Sequence, residues 1–187
     1  AFARGVDTIV DPAVLARCSV RDRRHVELCM VYEATKRARC AMAQRLEPLG
    51  IEVRGDARWR EVVERCGGEV GYFDDLAGFY RTTAVNLNTT SLQMHSAVNQ
   101  RVFDCPAAGG FLITDAQGDL AELFEPDTEA VSYASLDELE DKVRHYLAHP
   151  SERTEIVRRA QRRIGAHHTH QHRLKALEAF LKQRYAG

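Results

Sequence analysis

No stretch of this sequence reaches the roughly 18 consecutive apolar residues of a membrane-crossing helix, and no signal-peptide pattern opens it. A cytoplasmic setting without a transmembrane segment is therefore expected. Cysteine is scarce: Cys18, Cys29, Cys40, Cys66 and Cys105 are odd in number, and no two form a CxxC. That argues against a disulfide framework and a zinc site, and for reduced thiols. Neither sign of charge is in excess, with a formal net of −1, so nothing pulls the whole chain toward nucleic acid or an anionic membrane. GxGxxG and GxxxxGK(S/T) are both missing, which disfavours the common dinucleotide and P-loop sites. There is no internal repeat and no low-complexity tract.

What is present is a series of short apolar runs alternating with helical spacings. At 44% hydrophobic and 28% charged, the 187 residues can bury a core of ordinary size. Residues 1–24, with Asp11-Pro12 and the charged run Arg21-Asp22-Arg23-Arg24, read as a connector, and the chain as a piece of a longer protein. Alternation of Val26, Leu28, Met30 and Tyr32 predicts a first strand. Ala38, Met42, Leu46 and Leu49, closed by Gly50, predict a helix over 35–49. Further strands are expected at 51–54, 69–73, 84–87, 111–114 and 130–133. Helices are expected around 59–63, from Asp74-Asp75 to Tyr80, over 97–107 with Ser96 as cap, briefly at 120–124, and over 135–147, 151–164 and 169–185. Ser135 and Glu138 make a capping box. Strands alternating with helices over short connections predict an α/β domain over 25–187: three layers, α/β/α, around a mostly parallel six-stranded sheet, with helices at the C-terminus.

Open sheets of this kind bind ligands beyond the carboxyl ends of their strands. After the first strand stand Lys36, Arg37 and Arg39, cations that a helix opening disfavours unless an anion offsets them. The alternative is a solvated basic face paired with Glu33 or Glu47. After the fourth strand comes HSAVNQRVFDCPAAGGFLITD (95–115), which carries His95, Asn99, Arg101 and Asp104 close to Gly109-Gly110. Backbone N–H groups at 97–99, behind Ser96, could receive a phosphate. Helical spacing puts Asn99 and Arg101 on different faces, so the four polar groups do not all converge. Asp104 could accept two hydrogen bonds from a ribose diol. Plainer readings stand beside these: a salt bridge to Arg101 or Arg54 for Asp104, a loop hydrogen bond for His95, exposure for Asn99. AHHTHQHR (166–173) places His168 and His172 at a metal-binding spacing but with no acid or Cys beside them, so a helix entry capped by Thr169 is the better reading. Arg158, Arg159, Arg162 and Arg163 read as a solvated face.

Three blocks, VNLNTTSLQMHSAVNQRVFDCPAAGGFLITD, LAELFEPDTEAVSYASLDELEDKVRHYLAHPSER and HTHQHRLKALEAFL, resemble the C-terminal domain of GT-B glycosyltransferases. The likeness is greatest to the CgeB-like, spore-maturation branch of the group 1 glycosyl transferases and extends over roughly 26–182. It implies a Rossmann-like domain that holds a nucleoside-diphosphate sugar, with the acceptor bound by a separate N-terminal domain. It places Asp104 where the family often has a ribose-holding Glu. Lys36 and Arg37 fall at the diphosphate contacts, and Gly71, Tyr72 and Phe73 where the base packs. Eight residues before the ribose acid, where retaining members often carry an acid facing the sugar, this chain has Ser96. The donor-binding set expected is thus Lys36, Arg37, Gly71, Tyr72, Phe73, Ser96, Asn99, Arg101 and Asp104, with His95 as candidate catalytic group. No metal and no cofactor are expected, because helix dipoles and basic side chains stabilise the leaving diphosphate in this family.

Two functions follow: the donor-binding half of a sugar transferase, inactive without its partner domain, or a non-catalytic nucleotide- or anion-binding module of the same fold. Ser96 and the shortened Asp104 favour the second. A response-regulator-like domain would need paired acids after the first strand, and Glu33 stands alone there.

Overall fold

The computed structural model describes residues 12–73 and 75–185. Helix α1 (Pro12–Arg17) leads to Ser19, whose Oγ accepts the Asp22 N–H at 3.2 Å. From there α2 runs unbroken over Val20–Leu46. The strand expected at 26–32 is therefore helix, and position 24/25 falls inside it. The flanks outweigh the alternation: Arg, Glu, Leu, Met, Ala, Lys and Gln, good helix formers, dominate Val20–Leu46 as a whole. The i, i+4 pairs Arg23–Glu27 and Glu33–Arg37 reinforce them. A central parallel strand is covered on both faces, whereas Leu28 and Tyr32 are exposed. The buried residues of α2 are Thr35, Ala43 and Leu46, all in its second half.

Two minimal strands, β1 (Val53–Arg54) and β2 (Cys66–Gly67), pair in parallel across a 3₁₀ turn at Ala57–Glu61. After α3 (Leu76–Thr82), β3 (Asn86–Asn88), α4 (Arg101–Ala107), β4 (Leu112–Asp115), α5 (Leu120–Leu123) and β5 (Val131–Tyr133) build a second parallel sheet in the order β3-β4-β5. Helices α6 (Leu136–Ala148), α7 (Pro150–His167) and α8 (His170–Tyr185) complete the chain. Five strands in two sheets thus stand, among the described residues, where one six-stranded sheet was expected. The first strand became helix, and 69–73 carries no ladder, the pairing residues being Cys66–Gly67. Asp74, expected at the opening of α3, lies outside the described residues.

The three-stranded sheet is the centre of the domain. Side chains along 111–113 alternate between its faces. Phe111 and Ile113 join Leu46, Val131, Leu139, Val143 and Tyr146 on one face. Leu112 joins Tyr80, Val102, Cys105, Phe124 and Ile164 on the other. Helices α2 and α6 therefore cover one face and α3, α4 and α5 the other, with α7 reaching both through Ile156 and Ala160. Helix α8 buries none of its residues. Among the described residues no helix is long and apolar enough to cross a membrane.

The Ser135 cap forms as read, and the return bond from Glu138 goes one residue earlier, to Ala134. Ser135 Oγ accepts the Glu138 N–H at 3.2 Å, and Glu138 Oε2 accepts the Ala134 N–H at 2.8 Å. Ser135→Ala should destabilise the chain by about 1 kcal/mol, read as a lowered midpoint in urea with an unchanged slope.

Candidate functional site

A polar side chain in a buried strand is costly unless partnered, and β3 contains two: Asn86 and Asn88 are only 5% and 1% exposed. Asn86 Nδ2 donates to the carbonyls of Tyr80 and Phe111, both at 3.0 Å, and its Oδ1 has no partner among the described residues. Asn88 is the centre of a larger network. Its Nδ2 donates to Thr114 Oγ1 at 2.8 Å, and its Oδ1 accepts from Asn99 Nδ2 and from Arg101 Nη1, both at 2.9 Å. Asp115, ending β4, gathers the next layer. Its Oδ1 accepts from the Thr90 N–H at 2.8 Å, the Thr90 hydroxyl at 2.9 Å and the Thr114 hydroxyl at 3.3 Å. Tyr133, ending β5, donates its hydroxyl to the Asn88 carbonyl at 3.3 Å. The carboxyl ends of three parallel strands are thereby tied together by side chains, at the edge where such sheets take ligands.

A cleft of ≈ 1020 Å³ runs past this network. Arg39 and Met42 of α2, Trp59, Tyr72, Tyr80, Thr89, Asn99, Arg101, Asp104 and Val143 are among its walls. Helix α4 begins at Arg101 rather than at 97. The Ala97 N–H, expected free for a phosphate, is taken by the Met94 carbonyl at 2.8 Å, and Asn99 Oδ1 accepts the Arg101 N–H at 3.1 Å. Gln100 stands at the cap, and Asn99, one residue before it, holds the first helical N–H in place of Ser96. Standing ahead of the first turn, its side chain is free to reach the same Asn88 oxygen as Arg101, so the divergence expected from helical spacing does not occur.

Asp104 Oδ2 accepts the Tyr72 hydroxyl at 3.0 Å. This hydrogen bond is the main reason the Tyr72 hydroxyl titrates above its ordinary range. Of the expected set, Tyr72, Asn99, Arg101 and Asp104 meet at the cleft, whereas Lys36, Arg37, Gly71, Phe73, His95 and Ser96 are not among its walls. Phe73 is exposed and packs edge-on against Tyr72, with ring centroids 5.0 Å apart. His95 and Ser96 are exposed, and the Ser96 carbonyl accepts the Asp119 N–H at 3.0 Å.

Lys36 and Arg37 lie in the middle of α2, 3.9 and 2.9 Å from Glu33. The Arg37 hydrogen bond, followed by the Lys36 charge, holds the Glu33 carboxyl below its usual range. No strand precedes them, so no helix opens there, and the solvated-face arrangement is what forms. Of the three cations read after the first strand, the one that reaches the cleft is Arg39, whose Nη2 donates to the Thr89 carbonyl at 3.3 Å. Two residues turn a helix by roughly 200°, which points Arg39 away from Arg37.

Burial lowers the pKa of Arg39, the Arg101 cation lowers it further, and Asp115 opposes both. Arg54, also on the wall, is paired with Glu52 at 2.6 Å, whereas Arg39 and Arg101 repel each other across one cleft, and an added anion relieves that repulsion. Cys105, beneath them, is pushed up to about 12, chiefly by burial, and its protonated thiol packs as a small apolar group. Asn88, Thr114, Asp115 and Tyr133 belong to the site although sequence reasoning did not select them, and Arg39, one of the three cations read at a possible anion site, was left out of the expected donor-binding set. The signal for Asn88 was the polar alternation in VNLNTT, in a strand whose neighbours are apolar.

The whole domain can be compared with known families. A family model described as glycosyl transferase-like matches residues 27–179. A search of curated proteins found no match. The matched span takes in α2 from Glu27 on, all five strands of the described residues, and the helices as far as most of α8. This chain belongs to the glycosyl transferase-like family.

Proposed function

We propose that the chain is the donor-binding half of a GT-B glycosyltransferase of the CgeB-like branch, receiving a nucleoside-diphosphate sugar in the cleft. The observation that carries this reading is the convergence of Arg39 and Arg101 on one cleft, with the Tyr72–Asp104 pair on its wall. In this reading the two guanidiniums face the diphosphate. Sugar transfer releases that group as an anion, and fixed cations at the place where charge develops are the largest single aid to such a step. Asp104 accepts the ribose hydroxyls in exchange for the Tyr72 hydroxyl, and Tyr72 borders the base. Charge compensation by guanidinium makes the binding independent of magnesium. The acceptor is held by another domain.

A non-catalytic nucleotide-binding module is the second reading. It is favoured by the exposure of His95 and Ser96 outside the cleft, which leaves the sugar end without an acid or base from this block.

Calorimetric titration with UDP, GDP, ADP, TDP and CDP, with and without magnesium, tests the proposal. One nucleotide should bind with equal affinity in both conditions, and Asp104→Ala should weaken it about tenfold, or 1.4 kcal/mol. Binding only with magnesium, or an unchanged Asp104→Ala, would remove the assignment. Slow hydrolysis of the matching nucleotide sugar would favour the transferase over the module.

A further inference from the structure

We propose that His145, His149 and Glu152 form a binding site for a divalent first-row transition ion such as Zn²⁺, separate from the cleft. His145 stands in the last turn of α6 and Glu152 in the first turn of α7. His149, with φ −121° and ψ 69°, is the corner residue where one helix stops and the next starts. The corner brings one donor atom from each side chain within 4.8 Å of the others. Two imidazoles and a carboxylate suit zinc, nickel or copper better than magnesium or calcium. Three such ligands, at roughly 2.0–2.2 Å from a tetrahedral ion, stand roughly 3.3 Å apart. The His145 and Glu152 side chains are 47% and 48% exposed, so rotation of the side chains alone can close the difference.

The hydrogen bonds are those of a site already set for an ion. His149 Nδ1 lies 2.6 Å from the His145 carbonyl. A carbonyl only accepts, so Nδ1 carries the proton and the neutral ring offers Nε2. A ligating histidine commonly has its second nitrogen held in this way, which fixes tautomer and ring orientation. His145 Nε2 lies 2.8 Å from Glu152 Oε2 with a proton between them, and an ion takes the place of that proton. The two rings are stacked, centroids 4.2 Å apart and 19° between planes; an imidazole lone pair lies in the plane of its ring, so the exposed His145 ring must turn out of the stack to meet the ion beside His149.

The nearest cations are already engaged: Arg153 donates to the Tyr146 and Leu147 carbonyls, and Arg144 pairs with Glu140 at 2.7 Å. Val143 and Leu147 face the cleft. His145 lies roughly 200° around α6 from Val143, which keeps this site apart from the donor cleft and makes its fate independent of the proposed function. Three protein ligands leave the remaining coordination positions to water, and the ion clips the α6–α7 corner.

Zn²⁺ is titrated calorimetrically into the chelator-stripped chain and into its His149→Gln and Glu152→Gln variants. One ion per chain should bind to the unmodified chain, at least tenfold more tightly than to either variant, and should raise its Tm alone. With Co²⁺ the visible bands should appear without the near-ultraviolet charge transfer of a thiolate. Both substitutions are at exposed positions, and far-ultraviolet dichroism in chelator checks that the variants fold. Absence of stoichiometric uptake would overturn the proposal. So would a thiolate band, which puts the ion on the cysteines, or equal affinity in all three proteins, which puts it on other residues such as His168 and His172.

Discussion

Gly110→Ala is expected to cost roughly 3 kcal/mol, at the top of the range for overpacking a core. A Cβ built there would meet the Tyr80 carbonyl at 2.7 Å, Cys105 Sγ at 2.8 Å and Asn86 Nδ2 at 2.9 Å. None of the three can swing aside. The Tyr80 carbonyl is backbone at the end of α3, Cys105 is 0% exposed, and Asn86 is bonded to Tyr80 and Phe111 together. Any shift opens the two hydrogen bonds that hold the start of β3, so the cleft wall moves with the core.

Gly109→Ala is the control. Gly109 has φ +94°, and its nearest neighbour, Arg81 Cγ, is 3.5 Å from the position of a Cβ. The cost there is backbone conformation alone, about 1–2 kcal/mol. Urea unfolding of both variants checks the contrast. Equal losses, or a smaller loss at Gly110, would show that the close approach of α3 is not what requires glycine.

The two glycines also show what a sequence carries and what it does not. Both read as the end of a helix, and they are: the Gly109 N–H bonds to the Pro106 carbonyl and the Gly110 N–H to the Cys105 carbonyl, each at 2.9 Å, the double bond pattern of a Schellman stop. That job is local, so it is legible. The second job of Gly110 is contact with a segment 30 residues earlier in the chain (110 − 80), and nothing local encodes it. The same division runs through the fold. Elements from Asn86 onward, closed by caps and glycines, lie within a few residues of their expected bounds. The opening was misread because Val26 to Tyr32 satisfies a strand period while lying inside a longer run of helix formers, and only the missing cover on its faces decides. At the site, Arg101 and Asp104 stood out as polar residues near a Gly-Gly. Arg39 was passed over for Lys36 and Arg37, because choosing among neighbouring cations needs the phase of α2 against the sheet.

Asn88→Ala should then have the broadest effect of any single change at the cleft: a loss of roughly 3 kcal/mol in stability and about 100-fold in affinity for the nucleotide. Removing a side chain that is 1% exposed leaves a void and strips partners from Asn99 and Arg101 together. Each buried polar group left unpaired costs about 1–3 kcal/mol. Freed from Asn88, the Arg101 guanidinium is no longer held toward Arg39 and the cleft, and a diphosphate must order it on binding. That cost, at 1.4 kcal/mol per tenfold, accounts for the loss of affinity.

Asn88→Asp separates the two effects. An introduced carboxylate still accepts from Asn99 and Arg101, so affinity should recover to within about tenfold. Stability should not recover, because the Thr114 hydroxyl donates toward Asp115 and accepts from Asn88 Nδ2. With the amide gone, two acceptors face each other beside a second carboxylate. Calorimetry and urea unfolding on the two variants supply both numbers. If affinity follows stability in both, the network is only a brace for the sheet. If Asn88→Asp binds and unfolds early, Asn88 positions Arg101 for the anion.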